Sequence, residues 1–401
     1  MRGHIHKRKA AHNRVLYYAV VDGPRRPDGR RRQDWGRGYS TRREAEQELT
    51  KKIGAIDDGS FVTPTSITLE SYVEVHWLES VRSRVKPTTF DSYERTLKNH
   101  ILPTLGKKRL QGILPSDLTA LYGELLRAGR RVAGRSSGTL SAKTVHNVHL
   151  IVSKVLGDAV DDGLLQQNAA AKAKPPKPGR QSYQQIRAWT PDELHHFLNL
   201  SKDHRFHDAY HLAALTGMRR GEILGLRWED LDLVQNRLSV RHAIVLVRGK
   251  PQSSTPKNHE ARVVYLDPDT ITMLKHRKAA YNERVLAEGC GPDAEAYVFT
   301  REDGRSIHPD NLSSAFVKLA TRIQLPRICL HDLRHTHASI ALAAGVPIKV
   351  VSERLGHASP EFTMRIYQHV LPGQGQEAAT AVASAIQNAF RPDIQLADGT
   401  S

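Results

Sequence analysis

Cysteine is scarce: Cys290 and Cys329 are the only two thiols in 401 residues. Two thiols exclude a disulfide framework and any zinc site built from cysteine alone. Long apolar runs are absent. No stretch approaches the ~20 uninterrupted apolar residues a membrane span requires, so no membrane partner is expected. The opening residues MRGHIHKRKAAHNR lack the apolar core of a secretory signal, and a cytosolic location is expected. No internal repeat is visible. Acidic residues are the other shortage, with 42 Asp and Glu against 59 Lys and Arg, a net +17.

That shortage is uneven. Residues 1–43 hold 13 basic and 3 acidic side chains, 61–185 hold 18 and 10, and 186–401 hold 26 and 24. A polyanion partner follows for the first half, because each phosphate neutralised releases condensed counterions. The remaining composition, 39% hydrophobic and 25% charged, is that of a folded protein. At ~100–200 residues per domain the length predicts two to four domains.

Residues 1–13 read as a basic arm. Val15–Val21 and Trp35–Ser40 read as strands around a polar turn. Thr41-Arg42-Arg43-Glu44 is a capping box opening a helix to about Ile53, with a linker over 54–64. Leu69, Tyr72, Val73 and His76 share a helix face, as do Tyr93, Leu97 and Ile101. Further helices start at Pro115 and near Val145, and Gly129–Gly138 reads as a loop, so 65–170 is a four-helix unit. Ala171–Arg180 is a Pro/Lys linker. Beyond 186, Thr190-Pro191-Asp192-Glu193 starts a helix. Arg237–Val247 and Ala261–Leu266 read as strands joined by 249–260, and helices follow Pro268.

Three later segments carry chemistry. In Thr216-Gly217-Met218-Arg219-Arg220-Gly221-Glu222, Arg219 and Glu222 can pair at i, i+3; alone, that is equally an ordinary surface salt bridge. In His331-Asp332-Leu333-Arg334-His335-Thr336-His337, a guanidinium able to fork onto phosphate stands beside an imidazole able to donate a proton. The same histidines also read as satisfied helix residues or as zinc ligands. In Leu355-Gly356-His357-Ala358-Ser359-Pro360, a helix ends and another begins, and Tyr367 lies ten residues after His357.

Taken together and in order, these segments resemble the tyrosine recombinase (phage integrase) family. The match runs through T-G-x-R-x-G-E with L-x-W, H-D-L-R-H-T-x-A-S and L-G-H-x-S-x-x-x-T-x-x-x-Y. The resemblance implies a mainly α fold with small β-sheets (α+β), in three domains with a mostly helical catalytic domain. These are an arm-type DNA-binding domain over 1–60, a helical core-binding (SAM-like) domain over 65–171, a linker over 172–185, a catalytic domain over 186–390 and a tail over 391–401. It implies Tyr367 as nucleophile, Arg219 and Arg334 as phosphate clamps, His331 and His357 as proton-moving and phosphate-holding groups, and Lys257 as donor to the leaving 5′-oxygen. Glu222 would orient Arg219, whereas His335 reads as structural. Arg30, Arg31, Arg32, Lys86 and Thr88 are the expected DNA contacts.

The function implied is site-specific recombination by the integrase of a prophage or mobile element. It would proceed through a 3′-phosphotyrosine and a Holliday junction, with no metal and no cofactor. The partners implied are double-stranded DNA at core and arm sites, three further copies of the chain, and a DNA-bending accessory protein or excisionase. An Ala-rich helix over Gln376–Phe390 would dock on a neighbouring copy. The alternatives are a type IB topoisomerase-like activity, a non-catalytic DNA-binding regulator, and a zinc hydrolase using the histidine cluster.

Overall fold

The computed structural model describes residues 3–9, 14–23, 32–58, 61–132, 135–177, 187–255, 261–367 and 374–389. The chain divides into two compact units, Met1–Ser182 and Tyr183–Ser401. Its described elements are mainly α-helices with small antiparallel sheets, the fold class expected.

In the first unit, Gly3–Lys9, Val15–Gly23 and Arg32–Tyr39 form an antiparallel sheet in that order. Residues 3–9, expected as an arm, are therefore an edge strand, in register Gly3↔Val21. Ala19, Val20 and Val21 of the central strand are fully buried, and the helix Arg42–Asp57 packs on the sheet. Thr41 caps that helix reciprocally with Glu44, through bonds of 3.3 and 3.2 Å. The helix runs past the expected end at Ile53. A glycine inside a helix costs only about 1 kcal/mol, and half-buried Ala55 and Ile56 continue beyond Gly54.

Four helical stretches follow in the same unit: 69–82, 87–105, Pro115–Ala128 and Ala142–Asp161. The first contains a π-helical segment, Tyr72–Trp77. Hydrogen bonds from i to i+5 widen the turn, so Trp77, five residues after Tyr72, takes the core place that 3.6-residue spacing assigns to His76. Trp77 is 2% exposed and His76 is exposed. The Trp77 indole donates to Asp158 Oδ2 at 2.7 Å and the Tyr72 hydroxyl to Asp162 Oδ2 at 2.6 Å, pinning this stretch to the last helix. The expected loop at 129–138 instead carries a short hairpin, Arg130–Val132 with Arg135–Ser137.

The second unit is built around an aromatic core in which Trp189, Phe197, Tyr210 and Phe316 have ring centroids 5.0–5.6 Å apart. The strand expected over 237–247 is broken at Arg241 and His242. Arg237–Val240 joins Arg262–Tyr265 and Leu231–Asp232 in one sheet. Ala243–Val247 turns away to pair with Lys250–Ser254 as a hairpin. Helices Pro268–Ala287, Pro309–Arg322, Asp332–Ala343, Ile348–Leu355, Pro360–Tyr367 and Gln374–Ala389 complete the unit. Among the described residues no helix is long and apolar enough to cross a membrane.

The π segment sets an expected outcome. Trp77→Ala should lower stability by about 3–5 kcal/mol, whereas His76→Ala should change it by no more than about 0.5 kcal/mol. Urea unfolding followed by circular dichroism checks both, and equal losses would contradict the shifted phase.

Candidate active site

Gly217 ends the helix His207–Thr216 in the left-handed region, at φ 64°. A Cβ there would lie 2.6 Å from Leu355 Cδ2 and 2.8 Å from His337 Cδ2, so both backbone and space require glycine. The turn leads into Arg219, the N-cap of Arg220–Leu224. Glu222, 2% exposed, accepts from the Arg219 backbone N–H and from Arg219 Nη1, each at 2.9 Å. It also accepts a fork from Arg262, with Nη1 at 3.0 Å and Nη2 at 2.6 Å. Burial pushes the Glu222 carboxyl up, but these hydrogen bonds and the two arginine charges outweigh it and hold it at about 2. Arg219 Nη2 donates to the carbonyl of Gly356 at 3.1 Å. Gly356 is itself left-handed (φ 67°) and packs on Arg262, whose Cδ would lie 3.0 Å from a Cβ.

Arg334, on the helix Asp332–Ala343, is 3% exposed. Its Nη1 donates to the Gly217 carbonyl at 2.8 Å, and its Nη2 is buried without a hydrogen-bond partner. Burial, and then the charge of Arg219, lower it to about 9; it stays charged at neutral pH. Two guanidiniums that oppose each other's charge, one with an unfilled donor, make a site for an anion.

Tyr367 closes the helix Pro360–Tyr367 and is 1% exposed, packed with Ala338, Leu342, Val351 and Leu355. Its hydroxyl lies 2.7 Å from His335 Nδ1. Burial pushes the phenol up to about 12 against the opposing pull of Arg334. His357 Nδ1 lies 2.7 Å from Thr363 Oγ1. Burial, with Arg334 and Arg219 behind it, holds His357 down at about 3. His331 precedes Asp332 with an exposed edge; desolvation and the charges of His335 and Arg334 hold it below its ordinary value. Arg219, Gly356, His357, Ser359, Phe362 and Arg365 line a cleft of about 530 Å³.

Thus Arg219, Glu222, Arg334, His357 and Tyr367 gather through shared hydrogen bonds and electrostatic contact, and His331 joins them through Arg334 and His335. Lys257, Arg30 and Arg31 lie outside the described residues, and for Arg32 only its place at the start of the third strand is described. Half-buried Lys86 and Thr88 flank the start of the helix Pro87–Thr96 in the first unit.

Three groups stand outside the catalytic set that the sequence implies. His335, expected to be structural, holds the Tyr367 hydroxyl. Arg262 is the second; its signal is a charge at the place that alternates inward with buried Val264. Thr363, the partner of His357, is fully buried; its signal is the threonine of the His357–Tyr367 motif, four residues before Tyr367. His337 turns to the Ala214 carbonyl at 2.9 Å and accepts from Arg354, so the three histidines do not converge as ligands. Among the described residues, the one convergent donor group is Glu229, Asp230 and His242. Arg227 and Arg241 already oppose its charge, at 3.6 and 3.8 Å.

A carboxyl depressed from about 4.5 to about 2 gives stability that is complete above the unfolded value and lost as pH falls toward the folded one. The urea midpoint should therefore drop as pH goes from about 4.5 to about 2.5. Glu222→Gln should lower it at neutral pH and flatten that acid slope. Parallel profiles for the two proteins would contradict this.

Comparison with known proteins points one way. The phage integrase family model matches 187–373, a phage integrase N-terminal SAM-like domain matches 68–126, and an arm DNA-binding domain matches 5–56. A tyrosine recombinase XerC-like protein of Caldanaerobacter subterraneus is 30% identical over 355 residues, covering 84% of this chain and 88% of that one. The Tn1549 transposon integrase in complex with a circular intermediate DNA shares the fold, with TM-score 0.61 and 20% identity over 80% of this chain and 100% of that one. So does a lambda integrase solved as a tetramer bound to a Holliday junction, with TM-score 0.56 and 17% identity over 88% and 92%. The chain belongs to the phage integrase family of tyrosine recombinases, and it is an enzyme of site-specific DNA recombination.

Proposed function

We propose that this chain is the integrase of a prophage or other mobile element, working on double-stranded DNA as a homotetramer in a bacterial cytosol. The Tyr367 oxygen attacks a phosphorus, the bond to the 5′-oxygen breaks, and a 3′-phosphotyrosine and a free 5′-hydroxyl result. Arg219 and Arg334 take the non-bridging oxygens as charge builds on them. His331 and His357 hold the phosphate and assist proton movement, and Lys257 protonates the leaving oxygen. Glu222 keeps Arg219 aimed. The ester stores the energy of the broken bond, so resealing needs no cofactor.

The observation that carries this reading is Arg334. A buried guanidinium with an unfilled donor, beside a second guanidinium and within electrostatic reach of a buried phenol, suits a phosphodiester attacked by tyrosine. A regulator that only binds DNA has no use for that arrangement.

The domain roles belong to the same proposal. Residues 1–60 bind arm-type sites, 65–171 bind the core site with Lys86 and Thr88 among the contacts, and 186–390 carry the chemistry, with Arg30, Arg31 and Arg32 serving the arm site. The helix Gln374–Ala389, with Val382 and Ile386 exposed one turn apart, docks on a neighbouring copy. A DNA-bending protein or excisionase sets the direction of exchange.

A nicked duplex carrying the attachment core read from the genomic flanks of the gene tests the chemistry on a denaturing gel. Tyr367→Phe should keep DNA affinity and form no covalent adduct; a persisting adduct would move the nucleophile elsewhere. Arg219→Ala and Arg334→Ala should each slow adduct formation by an amount equivalent to about 3–4 kcal/mol. Relaxation of any supercoiled plasmid lacking that core would favour a topoisomerase instead. Deleting residues 1–60 should abolish arm-site binding and leave core cleavage intact.

A further inference from the structure

We propose that His335 is the proton acceptor for the Tyr367 hydroxyl. This rests on the reading of Tyr367 as nucleophile and adds a residue to it.

A phenol is a poor nucleophile until its proton leaves, and burial makes that loss harder here. The proton therefore needs an acceptor inside the site. Among the described residues, the Tyr367 oxygen hydrogen-bonds His335 Nδ1, at 2.7 Å, within general-base range. The charged groups of the site do not suit the task. Arg219 and Arg334 are cations without acceptor capacity, and the Glu222 carboxylate is occupied by Arg219 and Arg262. His357 Nδ1 is engaged with Thr363.

His335 is also in the right state. Burial and Arg334 lower its affinity for a proton, Asp332 opposes them, and the ring is neutral at physiological pH. Its neighbours are His331, edge-on at 5.5 Å, and the Tyr367 ring at 5.7 Å. A neutral ring accepts at Nδ1 and becomes an imidazolium as the proton arrives. The incoming phosphate then offsets the added positive charge.

The balance closes over a full cycle. On cleavage the Tyr367 O–H bond breaks, its proton passes to His335 Nδ1, the phenolate oxygen bonds phosphorus, and the 5′-oxygen leaves with a proton from another donor. On resealing the 5′-hydroxyl returns its proton to that same donor and attacks phosphorus, the phosphotyrosine bond breaks, and the departing phenolate recovers its proton from His335.

The test is single-turnover adduct formation by the full chain on the nicked core duplex described above. His335→Asn sets an amide oxygen near the place of Nδ1, so it keeps the hydrogen bond but cannot take a proton. Adduct formation should slow by about 10²-fold or more at neutral pH, with DNA affinity unchanged. The loss should persist when the leaving 5′-oxygen is replaced by sulfur, because a thiolate departs without a proton. A rate within threefold of the parent, or rescue by the sulfur substrate, would overturn the proposal. Loss of adduct in Tyr367→Phe alongside a normal rate in His335→Asn would sink only this inference and spare the nucleophile. The unsubstituted enzyme gives a second measurement that no folding defect can blur. Its rate should level off below about pH 7 and stay flat to about pH 9, because a neutral imidazole already holds the phenol. A tenfold rise per pH unit across that range would mean that prior ionisation of Tyr367 supplies the nucleophile, and would overturn the proposal.

Discussion

Glu222 is all but sealed from water and takes four hydrogen bonds from Arg219 and Arg262, and much of the site follows from that one carboxylate. It fixes the backbone of the turn after Gly217 and the guanidinium that projects from it. Through Arg262 it draws in the strand 262–265. Arg262 Nε in turn donates to the carbonyl of Arg354 at 3.1 Å, and Arg219 donates to that of Gly356. A turn, a strand and the end of the helix Ile348–Leu355 are thus tied to a single anion. A buried charge costs several kcal/mol unless it is paired and hydrogen-bonded, so none of these elements can shift without exposing that cost.

The same carboxylate decides the sign of the cleft. Its hydrogen bonds go to Arg219 and Arg262, and among the described residues none pairs directly with Arg334 as a counter-ion. Arg334 spends one donor on the Gly217 carbonyl and keeps another unfilled. In most cores such a group would be a defect. Beside a second guanidinium it is a positive potential built in before any substrate arrives, which lets charge developing on a phosphate be met without reorganisation. Burial lowers the imidazole proton affinities, and the same field adds to it. His331, His335 and His357 are all pushed down by burial and by nearby positive charge.

Departures from sequence expectation have local physical causes. Apolar spacing predicts the helix over 69–82 but not its widened turn, within which Tyr72 and Trp77 reach Asp162 and Asp158 across a long sequence separation. Alternation of β-branched residues predicts a strand over 237–247 but not its break at Arg241 and His242, where Ala243–Val247 leaves the sheet to pair with Lys250–Ser254. The residues 3–9 look like a solvated arm because an edge strand needs burial on one face only.

The sequence by itself determined the helical character, the basic first half and the order of Arg219, His331, Arg334, His357 and Tyr367, because residue type and spacing are local properties of the chain. Which groups touch was decided by tertiary structure alone. Arg219 is 137 residues from Gly356, and His335 is 32 from Tyr367. No periodicity encodes a contact over such distances; it exists only once the core has buried the side chains and left each polar atom to find a partner or go without.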